Sequence, residues 1–299
     1  MSLLVVGSIA YDTVETPFGK VEDSLGGSAL YFSAAASLFG PVNVVGVVGS
    51  DFDASKISFL KKRGVNLDGL YMESGKTFRW GGRYYEDMNK RETLFTYLNV
   101  FERFQPRIPE TYQHSEYIFL ANIDPELQLQ VLDQIEKPKL VVLDTMNFWI
   151  NGKRAKLETV LKRSDIIVVN DQEARELTGE FNLIKAIKRI VELGPKSVIV
   201  KKGEHGAMLY HAQKFFFAPA FPLEKVVDPT GAGDSFAGGF MGYIAQTDKI
   251  DFNTLKKAII YGSTIASFNV EDFSFNRLKT LTMEEIEQRV KAFKELTTF

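Results

Sequence analysis

Short apolar runs alternate with amphipathic stretches along this chain. The runs Leu3–Gly7, Val42–Val48, Tyr117–Ala121, Leu140–Asp144, Ile166–Asn170 and Ser197–Lys201 are rich in β-branched residues and apolar at consecutive positions. That pattern predicts strands buried on both faces, as inside a parallel sheet. Helical periodicity marks Ser28–Phe39, Asp53–Arg63, Pro125–Ile135, Lys153–Lys162, Leu183–Glu192, Asp234–Ala245, Phe252–Phe268 and Met283–Leu296. Alternating strands and helices predict an α/β layered fold whose function gathers beyond the carboxyl ends of the strands.

Two segments break the alternation. One is Thr13–Leu25, with Pro17 and Gly19; the other is Thr77–Phe104, rich in Thr, Tyr and Phe with a polar break at Asp87–Lys90. The second reads as antiparallel hairpin strands, and together the two are expected to form a small sheet, either a flap over a site or a plain surface hairpin. The division expected is a core of residues 1–12, 26–76 and 105–299 and a lid of residues 13–25 and 77–104.

Composition narrows the chemistry. The 299 residues are 45% hydrophobic and 25% charged with net charge -2, so no basic field invites nucleic acid or anionic lipid. With no cysteine and three histidines, His114, His205 and His211, disulfides, thiolate sites and a histidine metal site drop out. The apolar amino terminus is short and has no basic leader, and no run approaches membrane-spanning length, so the expected location is the cytoplasm.

The stretch richest in chemistry is VVDPTGAGDSFAGG, Val226–Gly239. A strand is predicted at Leu223–Val227 and a helix from about Asp234. Gly231, Ala232 and Gly233 let a ligand approach the backbone, and their amides with the helix start form an anion cradle. Asp234 at that start is either an N-cap or a base that accepts a proton from an attacking hydroxyl. The glycines and alanines of the following helix predict close helix–sheet packing.

DPTGAGDSFAGGF resembles the carboxyl-terminal signature of the PfkB, or ribokinase-like, carbohydrate kinases. GGSALYFSAAASLFG (Gly26–Gly40) resembles that family's amino-terminal glycine motif, NDQE (Asn170–Glu173) its NxxE motif, and KGEHG (Lys202–Gly206) its nucleotide-side turn. The resemblance implies an αβα sandwich with a small β lid, and ATP-dependent phosphorylation of a hydroxyl on a sugar, polyol or sugar acid, or alternatively on a nucleoside. A non-catalytic sugar- or nucleotide-binding regulator of the same fold is the other alternative.

By resemblance, Asp234 is the base, and Gly231, Ala232, Gly233 and the Asp234 amide form the anion hole. Asn170 and Glu173 organise Mg²⁺ through water; read from the residues alone they are an N-cap and a surface carboxylate. Lys202, Gly203, Gly206 and Thr230 fall on the ATP side, and Phe268 and Asn269 where family members wrap adenine. Asp228 and Thr230 occupy positions that in many members help bind a monovalent cation, leaving K⁺ activation open. Asp12, Gly26 and Gly27 fall on the acceptor side.

Many sugar kinases of the family carry GGxxxN, whereas Tyr31 stands at that position here. Arg79, Arg83 and Arg91 on the lid are candidates to pair with a substrate carboxylate or phosphate. For a nucleoside, Tyr31, Phe32, Trp80 and Tyr85 are candidates to stack on a base. Aromatic lid faces suit a homodimer. A dehydrogenase fingerprint GxGxxG, a P-loop GxxxxGK[ST] and a hydrolase GxSxG are all missing from the sequence.

Overall fold

The computed structural model describes residues 2–298. Its strands are β1 (Leu3–Val6), β2 (Ala10–Thr16), β3 (Gly19–Gly26), β4 (Val42–Gly49), β5 (Val65–Glu73), β6 (Phe78–Tyr84), β7 (Arg91–Tyr97), β8 (Tyr117–Leu120), β9 (Leu140–Asp144), β10 (Ile166–Asn170), β11 (Ser197–Lys201), β12 (Ala207–His211) and β13 (Lys214–Ala218). Its helices are α1 (Ser28–Ala36), α2 (Ser58–Lys62), α3 (Pro125–Leu132), α4 (Asn147–Gly152), α5 (Arg154–Lys162), α6 (Asp171–Thr178), α7 (Leu183–Glu192), α8 (Ala232–Thr247), α9 (Phe252–Asn269), α10 (Asn276–Thr280) and α11 (Met283–Thr297).

The larger sheet has the order β13-β12-β11-β10-β9-β8-β1-β4-β5. All of it is parallel except the β11–β12–β13 edge. Each central strand feeds two cores at once. In β1, Leu3 and Val5 join the cluster that includes residues of α1, α8 and α9, while Leu4 and Val6 join the one that includes residues of α3 to α7. Two buried faces explain why these strands show no polar alternation. The winding runs from β1 through β4 to β5, then returns to β8 on the other side of β1. Beyond the carboxyl end of β1 lies the crevice that such a reversal leaves.

Two sequence expectations fail. Leu223–Val227 is irregular, not a strand. Prolines at 222 and 229 bracket it and remove donors, and the Val227 amide bonds the Val270 carbonyl at the end of α9 (2.7 Å). The glycines of α8 pack it against helices rather than the sheet. A side chain at Gly238 would strike α1 at the Phe32 carbonyl, one at Gly242 would strike Phe39 and Ala36, and one at Gly239 would lie 3.1 Å from Gly262 of α9.

The smaller sheet has the order β3-β2-β6-β7. Two antiparallel hairpins, β2–β3 and β6–β7, are joined by a parallel β2–β6 pairing. The break at Asp87–Lys90 is the tip of the second hairpin. Asp12 lies on β2, paired in register with Trp80 of β6, so a lid strand itself carries this candidate into the crevice. Among the described residues no helix is long and apolar enough to cross a membrane.

Candidate active site

Gly231 caps α8 in the left-handed region (φ 75°). A side chain there would run into the Tyr31 ring, so both conformation and space demand glycine. The Ala232 amide closes a turn onto the Pro229 carbonyl (3.2 Å). It is thus a weaker anion donor than the motif suggests, and the amides of Gly233 and Asp234 open the helix instead. The Asp234 carboxyl is half-buried. Its pKa is pushed up to about 7, mainly by desolvation and then by Asp144, against the pull of Lys201 and Arg91.

Asp12 is buried (5% exposed), directly against Gly26, where a side chain would overlap its carboxyl. Burial first, then the charges of Asp228 and Asp234, push its pKa up to about 8, and the Gly27 amide opposes them. Gly27 has φ 96°, and a side chain on it would stand 2.5 Å from the Ser8 carbonyl. Asp228 is fully buried. It accepts from the amides of Thr230 (2.9 Å) and Ser274 (3.2 Å), so both its oxygens brace the loop before the anion hole. This side of the crevice therefore gathers Asp12, Asp228 and Asp234.

Asn170 and Glu173 form a reciprocal capping box on α6. The Glu173 amide donates to Asn170 Oδ1 (2.8 Å), and Glu173 Oε2 accepts from the Asn170 amide (2.7 Å). Glu173 is not a surface carboxylate: it is 7% exposed, and its pKa is raised to about 7, chiefly by burial. Asp144, at the end of β9, is also buried, with its pKa raised by the same cause. Three carboxylates (Asp144, Glu173, Asp234) thus face one core ammonium, Lys201. No group of three acidic or histidine side chains among the described residues is close enough to ligate an ion directly. A surplus of hard negative oxygen with few direct ligands fits Mg²⁺ held largely by water and phosphate oxygens.

Lys201 and Asp144 are functional candidates missed by the sequence reading. Lys201 ends β11 in register with Asn170 of β10, and Asp144 ends β9. Position at the carboxyl end of a central strand was the available signal. Of two adjacent lysines the reading chose Lys202, but the side chains of successive strand residues point to opposite faces. Lys202 instead enters the β11–β12 turn, its amide bonding the Gly206 carbonyl (2.8 Å). Gly203 (φ 55°) and Gly206 (φ 86°) shape that turn. The lid tip reaches it: Asn89 lies against Gly203 and donates to Glu204 (3.4 Å).

Phe268 and Asn269 are both engaged within the fold. The Phe268 ring is buried, and the guanidinium groups of Arg289 (3.4 Å) and Arg277 (4.7 Å) lie over it. Asn269 is buried too. It donates to the Thr230 carbonyl (2.9 Å) and accepts from Ser235 Oγ (3.2 Å), which ties the end of α9 to the loop before α8. The Thr230 hydroxyl instead meets Tyr84 of the lid (3.3 Å).

The lid arginines are mostly spent. Arg79 pairs with Asp23 and with Asp51 (3.1 Å), and Arg83 with Glu15 (3.1 Å). Both already hold protein carboxylates. Arg91 makes no ion pair among the described residues; it lies over the Trp80 ring (5.2 Å), and its charge lowers the pKa values of Asp12, Glu173 and Asp234. Tyr31 and Phe32 are buried and stacked on Phe275 and Phe119, so they offer no face to a base. Tyr85 is exposed and bonds Glu92 (2.5 Å).

A family model described as the pfkB family carbohydrate kinase matches residues 2–279. A cytidine kinase from Thermococcus kodakarensis is 31% identical over 251 residues, covering 81% of this chain and 88% of that protein. A nucleoside kinase from Methanocaldococcus jannaschii is 26% identical over 254 residues, 81% and 79% of the two chains. A crystal structure of a nucleoside kinase from that organism aligns at a TM-score of 0.76 with 23% identity, covering 97% of this chain and 98% of that one. An Escherichia coli chain solved with ATP and Mg²⁺ aligns at 0.79 with 20% identity, covering 97% and 99%. The fold is ribokinase-like. Motif, crevice and fold agree over nearly the whole length, and the chain belongs to the pfkB family of carbohydrate kinases.

Proposed function

We propose that this protein transfers the terminal phosphoryl group of ATP to a hydroxyl of an uncharged acceptor carrying a ribose-like ring, with a nucleoside as the best fit and a neutral sugar or polyol as the second reading. The observation that carries the chemistry is Asp234 at the start of α8, with its pKa near 7. A base is most useful when its pKa lies near the working pH. The acceptor oxygen attacks the terminal phosphorus and its proton passes to Asp234. The bond from that phosphorus to the bridging oxygen breaks, and ADP leaves with the electron pair. The amides of Gly233 and Asp234 and the positive end of α8 face the charge that develops on the transferring oxygens. Mg²⁺, placed near Asn170 and Glu173, would neutralise the phosphates.

Charge argues for a neutral acceptor. Asp12, Asp228 and Asp234 bring no cation to match a sugar acid or a phosphosugar, and Arg79 and Arg83 are already paired. The cytidine and nucleoside kinase relatives favour a nucleoside within the neutral class. The finer parts of the reading are a K⁺ ion near Asp228, checked by initial rates in KCl against equimolar NaCl, and lid pairing through the exposed Leu94, Tyr97 and Leu98, checked by light scattering. The central test is ADP release over nucleosides, neutral sugars, polyols, sugar acids and sugar phosphates. Turnover is expected on a neutral member; turnover confined to an anionic one overturns the acceptor class.

A further inference from the structure

We propose that Lys201 is a catalytic residue, its ammonium binding the oxygens of the phosphoryl group in transit, with Asp144 as the residue that positions it. The proposal rests on the kinase reading above. Lys201 Nζ lies 3.0 Å from the point a side chain on Gly233 would occupy, so it stands beside the amides at the start of α8. Through its register with Asn170 it also stands beside the NxxE corner. It therefore lies between the Asn170–Glu173 corner and the base.

Its bonding is unfinished. The side chain is 21% exposed, and Asp144 Oδ1 is 3.8 Å away, beyond hydrogen-bond range. Other lysines do reach their carboxylates, as Lys153 reaches Asp124 at 2.7 Å and Lys196 reaches Asp165 at 2.9 Å. An ammonium carries three donors, and no hydrogen bond at heavy-atom contact satisfies those of Lys201 among the described residues. Its Nζ is not among the fully buried polar atoms without a partner, so its donors open to the crevice, where water or a ligand's oxygens can take them. Asp144, Glu173 and Asp234 surround it and keep it charged despite burial. Among the protein groups around Asp234, the cations are Lys201 from the core and Arg91 from the lid. Lys201 is the one carried by the central sheet, on β11.

The test compares Lys201→Met, Lys201→Arg and the double variant Asp144→Asn/Lys201→Met, with thermal melts to confirm folding. Two readouts are taken: kcat on the best acceptor, and calorimetric affinity for MgATP and MgADP without acceptor. Lys201→Met is expected to lower kcat about 100-fold, the scale of losing one donor to a developing oxyanion. It should also weaken MgATP binding more than MgADP binding. Lys201→Arg should recover part of the rate. The double variant should stay slow, because removing the neighbouring charge supplies no new donor.

A Lys201→Met enzyme within twofold of wild type, or a double variant that regains wild-type kcat, overturns the proposal. In the second case Lys201 merely offsets Asp144. Wild-type protein that turns over no acceptor would sink the kinase reading instead. The lysine would then stand or fall on whether Lys201→Met loses the preference for MgATP over MgADP.

Discussion

The two sides of the crevice solve opposite electrostatic problems. On the acceptor side Asp12, Asp228 and Asp234 lie near one another, and burial raises the pKa values of all three, with Asp228 and Asp234 adding to the rise at Asp12 and Asp144 to that at Asp234. On the phosphate side Lys201 and the amides at the start of α8 offer positive charge and donors. On the proposed reading the difference sorts ligands by charge: a neutral, hydroxyl-rich molecule suits the first side, and a polyphosphate the second. Carboxylates buried with too few cations lower stability, and proteins often hold such strain where ligands bind.

The sharpest way to break this contrast is Asp234→Asn. It keeps shape and removes the base, and kcat is expected to fall roughly 10²–10⁴-fold; near-normal turnover would dissolve the assignment. Next comes pH. With Asp234 at about 7, kcat/KM for the acceptor should fall about tenfold per unit below that value, and a profile flat down to pH 5 would contradict it.

Asp12→Asn should raise the acceptor KM about tenfold, the scale of losing one buried hydrogen bond, yet stabilise the ligand-free protein. The folded pKa of about 8 lies above the ordinary 3.8. Between those values the native state holds a proton the unfolded chain has lost, so stability falls as pH rises. The gain in melting temperature from Asp12→Asn should therefore be larger at pH 8 than at pH 5; a gain independent of pH would show that Asp12 carries no such penalty. Gly231→Ala tests the joint beneath the site. Strained φ and the Tyr31 ring should together cost about 1–3 kcal/mol, read as a lowered melting temperature. Arg79→Ala should act least. With Arg79 already paired to Asp23 and Asp51, acceptor kcat/KM is expected within about threefold, since exposed pairs contribute roughly 0–1 kcal/mol. A larger loss would return Arg79 to the substrate.

The parts legible in the sequence follow a rule. Runs such as Leu140–Asp144 and Ile166–Asn170 match strands residue for residue, because burial on both faces leaves an apolar run that no other element needs. GAGD at the start of a helix was equally readable, since positive φ and anion binding are local demands on glycine and on backbone amides. Asn170 was readable as an N-cap, but the burial of Glu173 and its return bond to the Asn170 amide were not.

Other assignments depended on distant neighbours. Phe268 looked free to meet adenine until Arg277 and Arg289, contributed by α10 and α11, were found over its ring. Arg79 looked free to meet an anion until Asp23 and Asp51 claimed it. Leu223–Val227 had strand composition, but its last amide, that of Val227, was met by the end of α9 and prolines bracket it.

Sequence alone determined the layered fold, the glycine-rich turn and the acid beside it, because period, backbone freedom and helix ends act over a few residues. Only tertiary structure decided that Lys201 rather than Lys202 enters the crevice, that Asp144 joins it, and that Asp12 is pressed against two other carboxylates. Strand pairing and chain reversal bring those groups together across long stretches of chain, and burial and charge, which set their chemistry, depend on what surrounds a residue in space.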